Sequence, residues 1–198
     1  DTSTCNDEAP LIGNLPTGTT GQWTGPTGAT IEMPALSSTM ALGLVVGNNR
    51  FIWSLSTADC PSYSRDTLSI VRETAPDATD DRLDNFVATA DKPTAAINVI
   101  ANDQKISGTA GYVLSVANEP SLGVIDAING GSIVYRGLPG RSGTDQFVYQ
   151  VCNKICVDLC DTATVKIQVK SDNTYQFSVP TGITPNGDGA NDELRFEV

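Results

Sequence analysis

Apolar residues in this chain recur at every second position, and no helix-length stretch places them at every third or fourth. Phe147, Tyr149 and Val151 share one face of "QFVYQVC". Val165, Ile167 and Val169 do the same in "TVKIQVK", where Lys166, Gln168 and Lys170 face water. Tyr112, Leu114 and Val116 alternate, as do Ile97 and Val99, Phe51, Trp53 and Leu55, and Leu68 and Ile70. A period of two is the signature of a strand with one buried face. The 18 glycines and 11 prolines break the runs at short intervals, as turns between strands would. The chain therefore reads as all-β, and short strands at this spacing point to immunoglobulin-like β-sandwiches in tandem.

At 198 residues there is room for two such units. Residues 1–74 read as the first. "TGQWTGPTGATIEM" is a Gly/Thr/Pro loop leading into a short strand, with Trp23 in the loop. "ALGLVVGNNRFIWSLS" reads as a hairpin turning at "GNN", and "DTLSIVRE" closes the unit. "TAPDAT", residues 74–79, reads as a linker. Residues 75–170 form the second unit, with "GVIDAINGGSIVYRG" as a hairpin around "NGG". Residues 171–198 are a short C-terminal β extension, in which Leu194, Phe196 and Val198 alternate.

The formal charge of −11 repels nucleic acid, whose binding rests on Lys and Arg neutralising phosphates. No apolar run approaches the ~20 residues a membrane-spanning helix needs. The chain has no histidine, which removes Ser-His and Cys-His nucleophiles and histidine zinc sites. No nucleophile–base pair stands out, and the chain is read as not an enzyme. The five cysteines fit disulfides better than the zinc site that "CNKICVDLC" also suggests. Cys5 and Cys60 flank the strands of the first unit, and a bridge between them would contribute ~4 kcal/mol on the chain-entropy model. Cys152 ends one strand and Cys160 begins the next, so a hairpin would set them face to face. That leaves Cys156 as the odd thiol, unless it pairs with one of its two neighbours.

Three stretches resemble known families. "PDATDD", "INVIAND", "IVYRGLPGRSGTDQFVYQVC" and "CDTATVKIQV" resemble the cadherin-like or bacterial Ig-like repeats of large surface adhesins. "GQWTGP" and "RFIWSLSTADCPSYSRDTLSI" resemble PKD- or Ig-like repeats. "YQFSVPTGITPNGDGANDELRF" resembles the opening of the gliding-motility-associated C-terminal domain, the type B sorting domain of type IX secretion substrates. That domain continues for several strands, so 1–198 is read as an internal piece of a longer protein, unable by itself to carry the translocation signal.

These resemblances imply an extracellular segment, at the cell surface or released to the medium, with a structural or adhesive role as stalk, fibre or filament subunit. Its partners would be neighbouring Ig-like domains or copies of itself, and surface glycans or proteins, with no nucleic acid and no direct membrane insertion. The alternative is an accessory, carbohydrate-binding region of a secreted polysaccharide-degrading enzyme, for which Trp23, Tyr63 and Tyr112 are the candidate platform residues. Two Ca²⁺ sites are expected. Asn186, Asp188 and Asp192, with Asn191, follow a spacing found in Ca²⁺ loops, although the same residues also suit a plain turn. By the adhesin resemblance, Asp80, Asp81, Asp103 and Asp145 would gather near the junction of the units. Leu194, Phe196 and Val198 are read either as a strand donated to a neighbouring sheet edge or as one whose partners lie in sequence beyond this piece.

Overall fold

The computed structural model describes residues 1–89, 92–105 and 111–171. The predicted loop Asn186, Asp188, Asn191 and Asp192 and the strand Leu194, Phe196 and Val198 lie outside those residues.

The described chain is all-β. Its first seven strands are β1 (Thr2–Thr4), β2 (Glu8–Ile12), β3 (Thr20–Thr24), β4 (Thr30–Ile31), β5 (Ser38–Leu42), β6 (Gly47–Ser56) and β7 (Ser64–Arg72). The next seven are β8 (Asp81–Ala88), β9 (Thr94–Asn98), β10 (Tyr112–Asn118), β11 (Gly123–Asn129), β12 (Ser132–Gly137), β13 (Gly143–Asn153) and β14 (Cys160–Ser171). Sheet orders β1-β7-β6-β3 and β2-β5-β4 build one sandwich, and β8-β14-β13-β10 and β9-β12-β11 build the other. Shifting every label by seven converts the first pair of orders into the second. In both sandwiches the first strand runs parallel to the last, β1 with β7 and β8 with β14. The duplication of topology is complete although the two halves share little visible sequence.

Alternation decides which side chains meet between the sheets. Along β13, Asp145, Phe147, Tyr149, Val151 and Asn153 are buried and the residues between them are not. They face Val165, Ile167 and Val169 of β14 and Ile97, Ile133 and Tyr135 of the other sheet in one core. The first sandwich closes on Leu11, Trp23, Phe51, Trp53 and Ile70. Fully burying an aromatic or aliphatic side chain of this size stabilises by about 2–3 kcal/mol, so these stripes are the main favourable term.

Two readings of the first sandwich change. Trp23 lies on β3, directly opposite Trp53 on β6, with ring centroids 4.9 Å apart. Both are buried, so neither offers a platform to solvent. Gly21 makes this packing possible, since a Cβ there would stand 2.0 Å from the Trp53 ring. Strands β5 and β6 do not form a hairpin. They belong to opposite sheets, and the link between them is closed by the buried Asn49 side chain. Its Oδ1 accepts from Val45 N–H, and its Nδ2 donates to the carbonyls of Val45, Gly47 and Ile70. A buried asparagine wired to a loop backbone fixes a crossing that the apolar pattern alone reads as a turn. The "NGG" hairpin forms as β11 and β12, with Asn129 opposite Ser132 and Gly130 at φ 59°.

One of the two expected disulfides forms and the other does not. Cys152 is joined to Cys160. Cys5 is joined to Cys156, and Cys60 is free and exposed. The reason is strand direction. Cys5 follows β1, whose Thr4 pairs with Arg72 at the end of β7. Cys60 precedes Ser64 at the start of β7. Eight residues of strand separate Ser64 from Arg72, about 26 Å at the usual rise, against the roughly 4.4–6.8 Å between Cα atoms that a disulfide needs.

Candidate functional site

The polar chemistry of the chain gathers where the two sandwiches meet. The ends of β1 and β7 lie side by side, since Glu73 N–H donates to the Thr4 carbonyl. Both are then fastened to the loop between β13 and β14. Cys5 is bonded to Cys156, with Cα atoms 5.6 Å apart. Asn153, at the end of β13, donates its Nδ2–H to Glu73 Oε2 at 2.9 Å and to the Thr74 carbonyl at 3.4 Å. Its Oδ1 accepts from the N–H groups of Ile155 and Cys156, which braces the loop carrying the bridge. Glu73, Asn153 and Cys156 are all buried. Removing one partner of such a buried hydrogen-bonded pair leaves the other unpaired, which costs more than the bond itself contributes.

The linker continues against the second sandwich. Asp77 and Gln104 exchange both backbone hydrogen bonds, at 3.0 and 2.9 Å. Ala78 N–H donates to Asp161 Oδ2 and Thr79 N–H to Asp103 Oδ1. The exposed Lys105–Asp77 ion pair adds little. Residues 73–79 are therefore bound along their length to the second sandwich, where composition alone suggests a free linker.

Beside this segment sit three of the residues expected to hold an ion. Asp80 Oδ1 accepts from Thr164 N–H, and Asp103 Oδ1 accepts from Thr79 N–H and from the Tyr149 hydroxyl. Asp81 Oδ2 and Asp103 Oδ2 are buried without a partner. Burial first, then the charges of Asp103 and Asp80, push the Asp81 carboxyl up to about 6, against hydrogen bonds from Tyr149 and Asn102 that favour its charged form. The same surroundings, burial foremost and then the Asp103 carboxylate, push the Tyr149 hydroxyl well above its usual range. The cluster is thus oxygen-only and short of positive charge, the chemistry that suits Ca²⁺. Yet among the described residues no three His, Cys, Asp or Glu side chains are arranged to hold an ion.

Asp145 is not part of that cluster. It is 1 % exposed and faces the core at the far end of β13. Its oxygens accept from the N–H groups of Ser121, Leu122 and Gln146 and from the hydroxyls of Ser121 and Tyr135, all within 2.8–3.0 Å. Burial alone would raise its pKa, but the hydrogen bonds from Ser121, Tyr135 and Leu122 outweigh that and hold it below the usual carboxylate range. The Tyr135 hydroxyl is pushed up, by burial first and then by Asp145. A carboxylate with its lone pairs so occupied fastens the 121–122 turn to β13 and has none to spare for an ion.

In the motif "G-x-D-x-F-x-Y" each named residue then has a structural task. Asp145 anchors a turn and Phe147 fills the core. Tyr149 reaches the carbonyls of Thr79 and Val99 and the Asp103 carboxylate. The residues missed from sequence are Glu73, Asn153, Asp161 and the bridging role of Cys156. The legible signal was Asn153, a polar residue in register with the apolar face of "QFVYQVCN".

With the fold and junction described, the class is plain: the chain is a tandem of Ig-like β-sandwiches. Residues 73–168 match the model of the family described as "Bacterial Ig domain". No curated protein sequence matches the chain. Among solved structures it is similar to the human desmocollin-1 ectodomain, at 15% identity and TM-score 0.46, over 81% of this chain and 35% of that one. Drosophila N-cadherin EC1-4 matches at 17% identity and TM-score 0.39, over 77% and 41%. An endo-fucoidan hydrolase of glycoside hydrolase family 107 matches at 15% identity and TM-score 0.38, over 86% of this chain. The chain spans 27% and 32% of the two fucoidan hydrolase chains it resembles. At these identities and scores none of the three bears on activity.

Proposed function

We propose that this chain is a non-catalytic structural segment of a secreted cell-surface protein, a stiff spacer of a stalk or fibre that presents other parts of the molecule. The observation that carries the reading is the junction. A flexible tether needs neither a linker bound along residues 73–79 nor a disulfide from one sandwich to the other, whereas a spacer that must hold direction benefits from both. Two disulfides support an oxidising compartment. The modules are residues 1–74 and 75–170, and residues 171–198, by their resemblance to a type B sorting domain, link the protein to type IX export. Its partners are neighbouring Ig-like domains of the same protein or copies of itself. Calcium is the proposed ligand of the junction. It would draw on the unpartnered oxygens of Asp81 and Asp103, with Asp80 nearby, and lessen the repulsion that raises the Asp81 pKa.

A second reading, an accessory glycan-binding region of a polysaccharide-degrading enzyme, draws on a groove of about 300 Å³ on the first sandwich. Asn14, Ser64 and Asp66 are among the residues lining it; Trp23 and Trp53 also border it but are buried, so polar contacts and not ring stacking would hold a sugar there.

The test is the thiol state of the protein taken from its own cells under a membrane-permeant alkylating agent, with cell-surface and cytoplasmic fractions separated. The spacer reading expects the protein in the surface or medium fraction with Cys60 as the alkylated cysteine. A cytoplasmic protein with all five cysteines alkylated would overturn it.

A further inference from the structure

We infer that the Cys5–Cys156 disulfide is a load shunt: tension along the chain enters on β1, crosses this bond and leaves on β14, bypassing all the chain between the two cysteines. The inference rests on connectivity and strand order and holds whether or not the protein is a surface stalk. Consider a pull applied before Cys5 and after Ser171. The load enters along β1 and reaches Cys5, then crosses the covalent bond to Cys156, since that path is far shorter than the polypeptide route. The sequence separation of 151 residues between the two cysteines encloses β2 to β13, every buried core residue of the first sandwich, and the second core except for β14. None of that enclosed chain carries the load while the bond is intact.

The load then leaves through β14. A strand pulled from its two ends is already close to full extension and has almost no length to give. It is held on both sides, antiparallel to β13 and parallel to β8. Its weak point is the end nearest Cys156, where force on the loop would prise the first β13–β14 pair apart. That pair is Cys152 opposite Cys160, and it is closed by the second disulfide. The two bonds act in series, one carrying load across the junction and the other protecting the strand that receives it.

Without the Cys5–Cys156 bond the same pull follows a different route. In each sandwich the first strand runs parallel to the last, so the ends drawn apart lie at opposite ends of a paired couple. The first sandwich would be loaded in shear across three pairs, Thr2–Ile70, Ser3–Val71 and Thr4–Arg72, and would open there.

The test is single-molecule force spectroscopy on the 198-residue chain, held through peptide tags at its two ends so that Cys60 is not used for coupling. The enclosed segment, fully extended, amounts to roughly 500 Å at about 3.3–3.6 Å per residue. Oxidised molecules, shown by peptide mapping to hold the 5–156 bond, should release none of this length. Cys5→Ser/Cys156→Ser should release it in separate unfolding steps, one for each sandwich. Should that variant fail to fold, the same oxidised tether is pulled before and after reductant enters the cell, and the hidden length should appear only after. Cys152→Ser/Cys160→Ser, which keeps the junction bond, should keep the enclosed length hidden. Release of the enclosed length from mapped, oxidised molecules would overturn the inference, and so would mapping that finds Cys5 bonded elsewhere.

Discussion

Replacing Asp145 with asparagine should unfold the second sandwich selectively, and the structure sets the size of the effect. The buried carboxylate accepts five hydrogen bonds, from the buried Tyr135, the half-buried Leu122 and the exposed Ser121 and Gln146. An amide keeps one acceptor oxygen and turns an NH₂ group towards donors. If the amine takes the place of Oδ2, the Leu122 N–H loses its acceptor, while the Tyr135 hydroxyl can turn to accept. If it takes the place of Oδ1, the Ser121 and Gln146 N–H groups lose theirs, while the Ser121 hydroxyl can turn to accept. A hydrogen bond to a charged acceptor contributes about 1.5–3 kcal/mol, and at least one is lost in either orientation, so the loss is about 2–3 kcal/mol. For a domain near 100 residues that lowers the thermal midpoint by about 8 °C or more. The assay separates the sandwiches, because the two tryptophans, Trp23 and Trp53, both lie in the first. Far-ultraviolet circular dichroism follows both sandwiches and tryptophan fluorescence follows the first. Asp145→Asn should lower the dichroism midpoint far more than the fluorescence midpoint. Acid supplies an internal check. A carboxylate held below its usual pKa stabilises the fold above the unfolded value near 4 and loses that contribution as pH falls through the folded one. The gap between wild type and variant should therefore narrow below about pH 4. A dichroism midpoint within 2 °C of wild type at pH 7 would refute the reasoning.

Asp81 should behave in the opposite sense. Its folded pKa of about 6 lies above the unfolded value, so the stability it permits is present in acid and is lost as pH rises from about 4 to 6. Asp81→Asn should remove that loss and raise the midpoint at neutral pH in chelator. Wild type should gain stability from millimolar Ca²⁺ at pH 7, and Asp81→Asn should gain less; equal gains would place the ion elsewhere. Gly21→Ala should disturb the tryptophan pair, because the added methyl meets the Trp53 ring. We expect a loss of about 1–3 kcal/mol, a shifted tryptophan emission and an unchanged second sandwich; an unshifted emission would count against the packing described. Asn153→Ala should leave the Glu73 carboxylate buried without its donor and lower stability by about 1–3 kcal/mol, with hydrogen exchange rising first at Glu73 and Cys156. Exchange rising first in the β11–β12 hairpin would argue against a junction role.

Much of the fold was legible because it depends on side-chain period. Phe147, Tyr149, Val151, Val165, Ile167 and Val169 announce their strands and their faces without any tertiary knowledge, and "NGG" announces a hairpin by its backbone preference. What sequence could not supply was sheet membership. The run from Ala41 to Ser56 has two apolar stretches and a turn sequence whether its strands pair with each other or cross between sheets. Asn49, whose side chain holds the crossing, looks from sequence like one more turn residue. The junction was hidden for the same reason. Cys5 and Cys60 flank strands of the same unit, but the parallel pairing of β1 with β7 carries Cys5 to the opposite end of the sheet from Cys60 and next to Cys156. The adhesin resemblance places Asp145 with Asp80, Asp81 and Asp103. Only the register of β13 shows that it faces the core.

The account turns on one covalent fact, that the first sandwich is fastened to the second through Cys5 and Cys156. Digestion of the purified, non-reduced protein, with free thiols blocked beforehand, followed by mass spectrometry of the linked peptides, measures it without any assumption about function. The account predicts a peptide containing Cys5 joined to the one containing Cys156, with Cys152 joined to Cys160 and Cys60 carrying the blocking group. A peptide joining Cys5 to Cys60, with Cys156 blocked, would contradict it and leave the junction without a covalent fastening.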